Sequence, residues 1–531
     1  MNAVRFRGHD AGIPRVGVQL RDVLAHARVA ARADVIAVAG GRVRRLLRDD
    51  PLAPVVVEGG DDIVIVLAAG RAGALVVAGL GAGRLRAHVG IAVVMALGGD
   101  EDGTVVGVLP IACDECPVDG IQVSNACRGC LAHRCKDNCP KDAISIIDHK
   151  AVIDKEKCIE CGKCMAVCPY SAIVKHTRPC VNACKPQAIH IDQNTEKAVI
   201  DKEKCISCGA CVYQCPFGAI TDKSDITKVI SLIRDSNLNR DYHVYAVVAP
   251  SMASQYPNAV PEQVVAGIKA LGFHAVVEAA WGADMVAWLE AQELVEKGFL
   301  TSSCCPAFVN YINRHFPSLK EHVSHNLSPM AQMAKWLHET DENCHVVFIG
   351  PCIAKKAETK YTDAGKYVDY TITFEEMQAM FSARGIDVTT MHKAELDNAS
   401  FYGRIFARCG GLAEAVTEAL KEQGVSEEQF KLNAVSCNGI AECKTALFKK
   451  QKGILKENFI EGMACVNGCI GGPACLSHSS KNFAQVDAYG KSSMENTIAD
   501  AIRVMQILNP ALDVKGDGEV EKEIEEIEQT K

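Results

Sequence analysis

The sequence predicts three successive domains: a small β-rich domain at residues 1–110, an α+β domain at 111–222 and a larger α/β domain at 223–510. The first block contains 13 arginines but no lysine or cysteine, and runs such as "PVVVEGGDDIVIVLAAG" are typical of short strands around Gly/Asp turns. The second block holds sixteen cysteines. In the third, strand-like runs such as "YHVYAVVAPS" and "CHVVFIGP" alternate with helical runs such as "PEQVVAGIKAL", which favours a parallel sheet with flanking helices.

Bulk composition disfavours two function classes. The net charge of −8 argues against a nucleic-acid partner. The most apolar stretch, residues 63–83, is interrupted by Arg71 and several glycines, so we expect buried strands with a turn and no membrane span. Residues 511–531 are mostly charged and predict a solvated tail. The sequence indicates no role for residues 1–110.

The 26 cysteines favour metal binding over disulfide bonds. A disulfide framework requires an exported chain, yet the start "MNAVRFRGHDAG" lacks the apolar core of a signal peptide. We therefore expect a reducing cytoplasm and metal-bound thiolates.

Residues 111–222 contain an internal repeat. The segment "AVIDKEKCI" occurs at 151–159 and again at 198–206, and "CPKDAI", "CPYSAI", "CKPQAI" and "CPFGAI" recur around it, which indicates duplicated units. Two runs, at 158–168 and 205–215, match the C-x2-C-x2-C-x3-C-P pattern of iron–sulfur proteins. In this pattern three cysteines hold one [4Fe-4S] cluster and the fourth binds its neighbour. Zinc is the alternative, but zinc sites do not need the trailing cysteine and proline.

If the fourth cysteine of one run binds the neighbouring cluster, the sequence predicts three accessory clusters. The first set is Cys127, Cys130, Cys135 and Cys168; the second is Cys158, Cys161, Cys164 and Cys139; the third is Cys205, Cys208, Cys211 and Cys184. Four cysteines are left over: Cys113, Cys116, Cys180 and Cys215. They either bind a fourth cluster or are free or structural thiols, and the sequence leaves both readings open. Such a row of clusters conducts electrons, so the reaction must take place in the third block.

Three segments of the third block carry a family resemblance. "TSSCCPAF", "GPCIAKKAE" and "EGMACVNGCIGGPACL" resemble the signature motifs of the [FeFe] hydrogenase family, and the match spans roughly residues 223–505. The cysteine-rich block resembles the ferredoxin-like accessory domain of that family. The resemblance implies a catalytic domain with two lobes of mostly parallel sheet. It also implies an H-cluster, which is a [4Fe-4S] cubane joined to a diiron subsite with CO, cyanide and a bridging dithiolate.

The resemblance assigns roles to the scattered cysteines. It implies that the cubane ligands are Cys305, Cys352, Cys465 and Cys469, with Cys469 bridging to the diiron subsite. The adjacent Cys304 is implied to face the diiron subsite as a proton donor, a role that suits a thiol. The alternative for Cys304 is an inert buried thiol.

The resemblance also implies a proton relay and a pocket. The segments "WGADMVAWLEAQEL" and "HVSHNLSP" imply a route that runs through Cys304, Glu290, Ser324 and Glu293 to solvent. Without the resemblance, two glutamates three residues apart would be a solvated helix face. The residues implied to contact the diiron subsite are Lys355 and Ser251 as cyanide donors, with Pro250, Met463 and Phe406 as pocket walls. Ordinary core packing is the alternative for the apolar members.

Several positions depart from the better-known members of the family. They are Gly350 before the Pro-Cys of the second motif, Met330, Phe308, and the "CIGGPACL" form of the third motif. These changes leave the metal ligands intact but leave catalytic bias and oxygen tolerance open. The remaining cysteines are predicted to be structural, with Cys409 expected near the cavity: Cys344, Cys409, Cys437, Cys443 and Cys475.

The predicted function is reversible reduction of protons to H₂ with electrons from ferredoxin or a similar small carrier. Dedicated maturation proteins are expected partners, because the diiron subsite must be inserted. Two alternatives remain. One is a hydrogen sensor with the same cofactor, although no signalling domain is evident after residue 510. The other is a non-catalytic relative that works in iron–sulfur assembly, which would not need Cys304, Lys355 or the glutamate pair.

Overall fold

The computed structural model describes four strands within residues 42–80, then residues 104–113, 116, 120–192, 194–396 and 399–509. The chain divides into two compact units, Met1–Gly81 and Ala82–Lys531. The first unit contains an antiparallel sheet of β1 (Arg42–Arg45), β2 (Val55–Gly59), β3 (Asp62–Ala69) and β4 (Ala74–Leu80), in that order. Most of the apolar stretch at 63–83 therefore forms two paired strands, as predicted. Within the described residues, no helix is long and apolar enough to span a bilayer.

The cysteine-rich domain is built from short antiparallel strand pairs. Its strands are β5 (Val106–Val108), β6 (Gly120–Val123), β7 (Ile144–Ile147), β8 (Lys150–Ile153), β9 (Ile173–His176), β10 (Ile189–Ile191), β11 (Ala198–Ile200) and β12 (Ile220–Asp222). They pair as β5 with β12, β6 with β9, β7 with β8 and β10 with β11. Its one-turn helices are α1 (Arg134–Asp137), α2 (Lys163–Ala166), α3 (Pro179–Ala183) and α4 (Ala210–Gln214). The sequence places the start of this domain at residue 111, whereas its strand pairing begins at β5.

The third domain has two parallel sheets and therefore two lobes. One sheet has the order β14 (Ala275–Glu278), β13 (His243–Val248), β16 (Cys344–Gly350) and β17 (Tyr370–Thr373). The other has the order β15 (Leu300–Thr301), β19 (Phe459–Met463) and β18 (Ala434–Asn438). This arrangement confirms the predicted fold class.

Twelve helices accompany these sheets in the described residues. They are α5 (Ile226–Asp235), α6 (Pro261–Ala270), α7 (Ala279–Lys297), α8 (Pro306–His315), α9 (Pro329–Thr340), α10 (Ile353–Tyr361), α11 (Phe374–Arg384), α12 (Phe401–Ile405), α13 (Gly411–Glu422), α14 (Ile440–Gln451), α15 (Asn482–Gly490) and α16 (Ile498–Leu508).

Helix α7 lies at the centre of the larger lobe, where α9, α12, α13 and α16 pack around it. Small residues allow this close packing: a Cβ at Gly282 would lie 2.3 Å from the carbonyl oxygen of Pro329. A helix that is surrounded on all sides is buried along most of its length. Polar groups on α7 are therefore held away from water, and this includes Glu290, which is 0% exposed.

The parallel sheets bring distant segments of the sequence to one edge. The chain leaves β13 into Pro250 and Ser251, leaves β15 towards Cys304 and Cys305, leaves β16 into Cys352 and leaves β19 towards Cys465 and Cys469. The carboxyl ends of parallel strands are where α/β folds bind ligands.

A buried ion triad joins the cysteine-rich domain to the larger lobe. Lys356 Nζ on α10 lies 2.6 Å from Asp222 Oδ2 at the end of β12 and 2.7 Å from Glu376 Oε2 on α11. Burial alone would lower the pKa of Lys356, but the charges of Asp222 and Glu376 outweigh burial and raise this pKa. The triad therefore fixes β12 against the lobe through fully buried charges.

We predict that Lys356→Met destabilises the protein by about 3–5 kcal/mol, because it leaves two carboxylates buried without a cation. Chemical denaturation monitored by circular dichroism measures the change. The matched control is Lys366→Met, which removes an exposed ion pair with Asp363 and should leave the stability nearly unchanged. Equal effects of the two variants would contradict the structural role of the triad.

Candidate functional site

Two cysteines of the predicted cubane set begin helices. Cys305 is the N-cap of α8 and Cys352 is the N-cap of α10. The positive end of a helix dipole favours a thiolate at this position. Cys465 and Cys469 lie on the loop after β19, and Cys469 is part of a 3₁₀ turn, Gly468–Gly471.

The structure brings these four thiols together. The pKa of Cys465 is raised well above its usual value by burial and by the charges of Cys352, Cys305 and Cys469. Burial and the charge of Cys305 likewise raise the pKa of Cys352 to about 12. Thiolates that repel one another in a buried site are stabilised when they bind metal cations. The arrangement therefore fits a shared metal cluster.

The spacing of the four thiols differs from that of a single-ion site. In the described part of the chain, no three His, Cys, Asp or Glu side chains form a group that could hold one metal ion. The cysteine ligands of a four-iron cluster bind different iron atoms, so they stand farther apart than the ligands of one ion.

Cys304 lies between this cysteine set and the predicted relay. Burial raises the pKa of its thiol well above the usual value, and the charges of Glu290, Cys305 and Cys469 raise it further. Its side chain also packs against the main hydrophobic core. These surroundings favour the protonated thiol of Cys304 and place it within electrostatic reach of both Glu290 and Cys469.

Glu290 is a buried carboxyl group beside Cys304. Its Oε1 accepts hydrogen bonds from the Ser303 backbone N–H at 3.2 Å and from Ser303 Oγ at 3.4 Å. Burial raises the pKa of Glu290 to about 8, although the hydrogen bonds from Ser303 oppose the shift. A group with this pKa can both give and accept a proton near neutral pH.

A hydroxyl group and a second carboxylate continue the path to the surface. Ser324 Oγ donates a hydrogen bond to Glu293 Oε2 at 2.8 Å. Asn326 Nδ2 donates to the same oxygen at 3.0 Å, and Lys297 forms an ion pair with the other oxygen. Glu293 is 12% exposed and its neighbour His325 is 77% exposed. The structure thus places Glu290, Ser324 and Glu293 in order from the interior to solvent.

Most pocket residues predicted from the resemblance lie at or just after the same strand ends, whereas Phe406 follows α12. Ser251 is 0% exposed, and its Oγ has no hydrogen-bond partner among the described residues. An unpaired buried hydroxyl is costly unless a ligand satisfies it. Lys355 Nζ lies 2.7 Å from Glu358 Oε2, and the charges of Cys352 and Cys304 act on this ammonium group. Met463 and Phe406 are buried and Pro250 is half-buried, as either a pocket wall or a core would require.

Sequence reasoning missed two residues that organise the site. Ser303 connects Glu290 to the Asn326 carbonyl oxygen, to which its Oγ donates at 2.9 Å. The position of Ser303 directly before Cys304 is the sequence feature that could have identified it. Glu461 on β19 is fully buried and accepts hydrogen bonds from the Gly410 N–H at 2.8 Å and from Ser436 Oγ at 2.7 Å. The sequence feature that could have identified Glu461 is a lone glutamate in the apolar run "FIEGM".

Cys409 lies on the loop that Glu461 holds. Burial and the charge of Glu461 raise its pKa to about 12. Its N–H donates to the Asn467 carbonyl oxygen at 3.3 Å, which fastens this loop to the third motif. The contacts are those of a structural residue that lies next to the site.

Two departures from the better-known motifs have local packing partners. A Cβ at Gly462 would lie 2.1 Å from the ring of Phe308, so this ring occupies the space beside β19. A Cβ at Gly350 would lie 2.7 Å from the ring of Phe348. A larger residue at position 350 would therefore require this ring to move.

The accessory cysteines form groups that match the predicted sets. Separate small cavities are lined by Cys139, Cys158, Cys161 and Cys164, and by Cys184, Cys205, Cys208 and Cys211. In the first set, the charges of Cys130 and Cys127 contribute to the raised pKa of Cys135, after the effect of burial. Cys168 packs with Cys127 and Cys135 on the same small core. All 26 cysteines lie in the described part of the chain, and none forms a disulfide.

The third accessory set lies next to the cubane set. Burial raises the pKa of Cys208 to about 12, and the charges of Cys205, Cys184 and Cys305 act in the same direction. The adjacent Gly209 has a φ of +76°, and a Cβ there would lie 2.5 Å from Ile353. Only glycine combines this conformation with such a close approach. The cysteine-rich domain therefore packs directly against the helix that begins at Cys352.

We predict that Glu290 makes stability fall as pH rises from about 4.5 to about 8. The unfolded carboxyl group loses its proton at the lower end of this range, whereas the folded one retains it to the upper end. The folded state therefore binds more protons within the window. Denaturation midpoints at about pH 5 and about pH 8 should differ less in Glu290→Gln than in the parent protein. The control is Glu296→Gln, an exposed residue of the same helix, and equal pH dependence in both variants would contradict the prediction.

Comparisons with known proteins agree with this geometry. Residues 242–473 match the family model "Iron only hydrogenase large subunit, C-terminal domain". Residues 150–216 and 126–172 each match a "4Fe-4S dicluster domain".

Three curated relatives illustrate the range of similarity. Iron hydrogenase 1 of Clostridium pasteurianum is 27% identical over 405 residues, which cover 66% of this chain and 69% of the relative. The periplasmic [Fe] hydrogenase large subunit of Nitratidesulfovibrio vulgaris is 26% identical over 382 residues, which cover 61% and 86%. The cytosolic Fe-S cluster assembly factor NAR1 of Kluyveromyces lactis is 35% identical over 91 residues, which cover only 17% and 19%.

Proposed function

The chain belongs to the iron-only hydrogenase large-subunit family, and we propose that it catalyses the reversible reduction of protons to H₂ with electrons delivered by a ferredoxin. The observation that carries this proposal is the position of Cys304. Its protonated thiol lies close to the buried carboxyl group of Glu290 on one side and to the four-cysteine set on the other. A cluster that only conducted electrons would need no proton donor beside it.

The residues at the strand ends fit an H-cluster. Cys305, Cys352, Cys465 and Cys469 would hold the cubane, and Cys469 would also bind the diiron subsite. The unpaired hydroxyl of Ser251 and the buried ammonium group of Lys355 would donate hydrogen bonds to its cyanide ligands. When bound, the H-cluster supplies the two-electron redox chemistry that links protons to H₂. The protein supplies the ligands, the hydrogen bonds and a dry pocket.

Proton movement is assigned to the chain's own side chains. The Cys304 thiol gives up its proton in the pocket and is reprotonated by the Glu290 carboxyl group. Ser324 relays the next proton to Glu290 through its hydroxyl, which lies 2.8 Å from Glu293 Oε2. Glu293 exchanges protons with solvent. Ser303 positions Glu290 by holding its Oε1, so the carboxyl group keeps a fixed orientation towards Cys304.

Electrons would enter through the accessory clusters and leave the third set beside Cys305. The proximity of Cys208 to Cys305 supports this order. Ferredoxin or a similar small carrier is the proposed donor, and maturation proteins are the proposed source of the diiron subsite. A cytoplasmic location is part of the proposal, because thiolate ligands must remain reduced to bind iron.

We predict that protein matured with the diiron subsite shows CO and cyanide infrared bands and releases H₂ from reduced ferredoxin. Both readouts are needed, because they separate the proposal from its alternatives. Intact bands with negligible H₂ release would favour a hydrogen sensor. Absence of the bands after full maturation would favour an iron–sulfur assembly relative, whose similarity here covers a small part of the chain.

We predict that Glu290→Gln and Ser324→Ala each lower H₂ turnover by about 10²–10⁴-fold, because each removes one step of proton transfer. The CO and cyanide bands should persist, since neither residue is a proposed ligand. Glu296→Gln on the same helix is the control and should retain full turnover. Normal turnover in both relay variants would contradict the proposed route, and loss of the infrared bands would indicate a structural role instead.

A further inference from the structure

The cysteine-rich domain contains two copies of one folding unit, and one copy is inserted into the other. The inner unit begins with β6, contains the β7–β8 pair and closes when β9 pairs with β6. The outer unit begins with β5, contains the β10–β11 pair and closes when β12 pairs with β5. The chain leaves the outer unit after Cys116 and returns to it at Pro179. Sequence inspection finds the repeat of the central segments but misses this nesting, because the first strand of the outer unit lies far upstream.

Backbone conformation follows the repeat residue by residue. Asp142 and Gln187 have φ values of +46° and +57°, and Glu160 and Ser207 have +54° and +57°. Such left-handed conformations are uncommon in residues other than glycine. Their recurrence at equivalent positions shows that both units fold around the same local geometry.

Hydrogen bonds to sulfur also repeat. The cysteine that begins each recurring segment ("CPKDAI", "CPYSAI", "CKPQAI" and "CPFGAI") accepts a hydrogen bond from the N–H of the alanine four residues later. The four pairs are Cys139 with Ala143 at 3.3 Å, Cys168 with Ala172 at 3.4 Å, Cys184 with Ala188 at 3.1 Å, and Cys215 with Ala219 at 3.3 Å. N–H donors to cysteine sulfur stabilise thiolate ligands of iron–sulfur clusters.

One more pair of hydrogen bonds to sulfur shows which cysteine of the outer unit corresponds to Cys127 of the inner unit. In the inner unit Cys127 Sγ accepts from Ala151 N–H at 3.4 Å. In the outer unit Cys113 Sγ accepts from Ala198 N–H, also at 3.4 Å. Ala151 and Ala198 are the same residue of the exact repeat "AVIDKEKCI". Cys113 therefore occupies in the outer unit the position that Cys127 occupies in the inner unit, and Cys116 corresponds in the same way to Cys130.

We infer that Cys113, Cys116, Cys180 and Cys215 bind a fourth accessory [4Fe-4S] cluster, the counterpart of the one assigned to Cys127, Cys130, Cys135 and Cys168. Cys113 and Cys180 are each 6% exposed and pack on one apolar core with Cys215. The Arg178 guanidinium, itself buried, lies 3.9 Å from Cys113 Sγ and supplies positive charge beside the thiolates. Free thiols need neither this charge nor a repeated N–H donor.

The nesting also places the fourth cluster in the electron path. Two connections join the units: one leaves the outer unit after Cys116, and the other returns to it just before Cys180. Both connections therefore flank ligands of the fourth cluster. Cys180 lies close to Cys211 of the third set, whose pKa it helps to raise. The fourth cluster therefore lies beside the third set, which adjoins Cys305. This inference concerns iron binding and does not depend on H₂ chemistry.

The experiment is an iron and sulfide count on full-length protein that is reconstituted without the diiron subsite. Four accessory clusters and the cubane give about 20 iron atoms per chain, whereas three accessory clusters give about 16. The double variant Cys113→Ser/Cys116→Ser should lose about 4 iron and about 4 sulfide. The matched variant Cys127→Ser/Cys130→Ser should lose the same amounts, and Cys344→Ser, a buried cysteine outside every set, should lose none.

Two results would overturn the inference. One is an unchanged count in Cys113→Ser/Cys116→Ser when Cys127→Ser/Cys130→Ser loses a cluster. The other is a parent protein that contains about 16 iron atoms and whose fully reduced form integrates to about four spins, where about five are expected. The second measurement requires no substitution, so it decides the question even if the double variant fails to fold.

Discussion

The structure depends on thiols that are crowded together where water is scarce. In the cubane set and in the third accessory set, burial and neighbouring sulfur charges raise the pKa of each thiol that shows a shift. Without a metal these groups must stay protonated or repel one another, whereas bound iron neutralises their charge. The short strands of the cysteine-rich domain enclose small cores in which cysteines replace much of the usual aliphatic packing. Clusters therefore complete the core of this domain as well as conducting electrons.

The same exclusion of water acts on the first carboxyl group of the proposed proton relay. Glu290 has a pKa of about 8 because α7 is enclosed by other helices, and a carboxyl group on a solvated face would have no such shift. Glu293, one turn further along, is partly exposed and is surrounded by donors from Ser324, Asn326 and Lys297. One helix thus carries one carboxyl group deep in the interior and a second one near the surface. Their surroundings differ because the two residues lie at different depths in the fold.

The spacing of residues within short motifs made the clusters and the strand-end site predictable from the sequence. Features that depend on contacts between distant segments were not predictable. Short cysteine runs predict their clusters directly, because three ligands lie on one loop. The motifs after β15, β16 and β19 likewise predict the site at the strand ends. Ser303 and Glu461 act through contacts that only the folded lobe creates. The burial of Glu290 depends on four helices distant in sequence. The role of Cys113 remained open because its unit is interrupted by a whole inserted copy.

Nesting has a mechanical consequence for the electron path. An inserted unit is tethered at both ends, so it cannot swing on a single linker. The outer unit is closed by the β5–β12 pair, and Lys356 fixes the end of β12 to the larger lobe through Asp222. Close packing at Gly209 fixes the third set against Ile353, the residue after Cys352. These constraints hold the outer unit, the third set and the cubane cysteines in one rigid arrangement. Fixed separations of this kind are what electron transfer between clusters requires, because its rate falls steeply with distance.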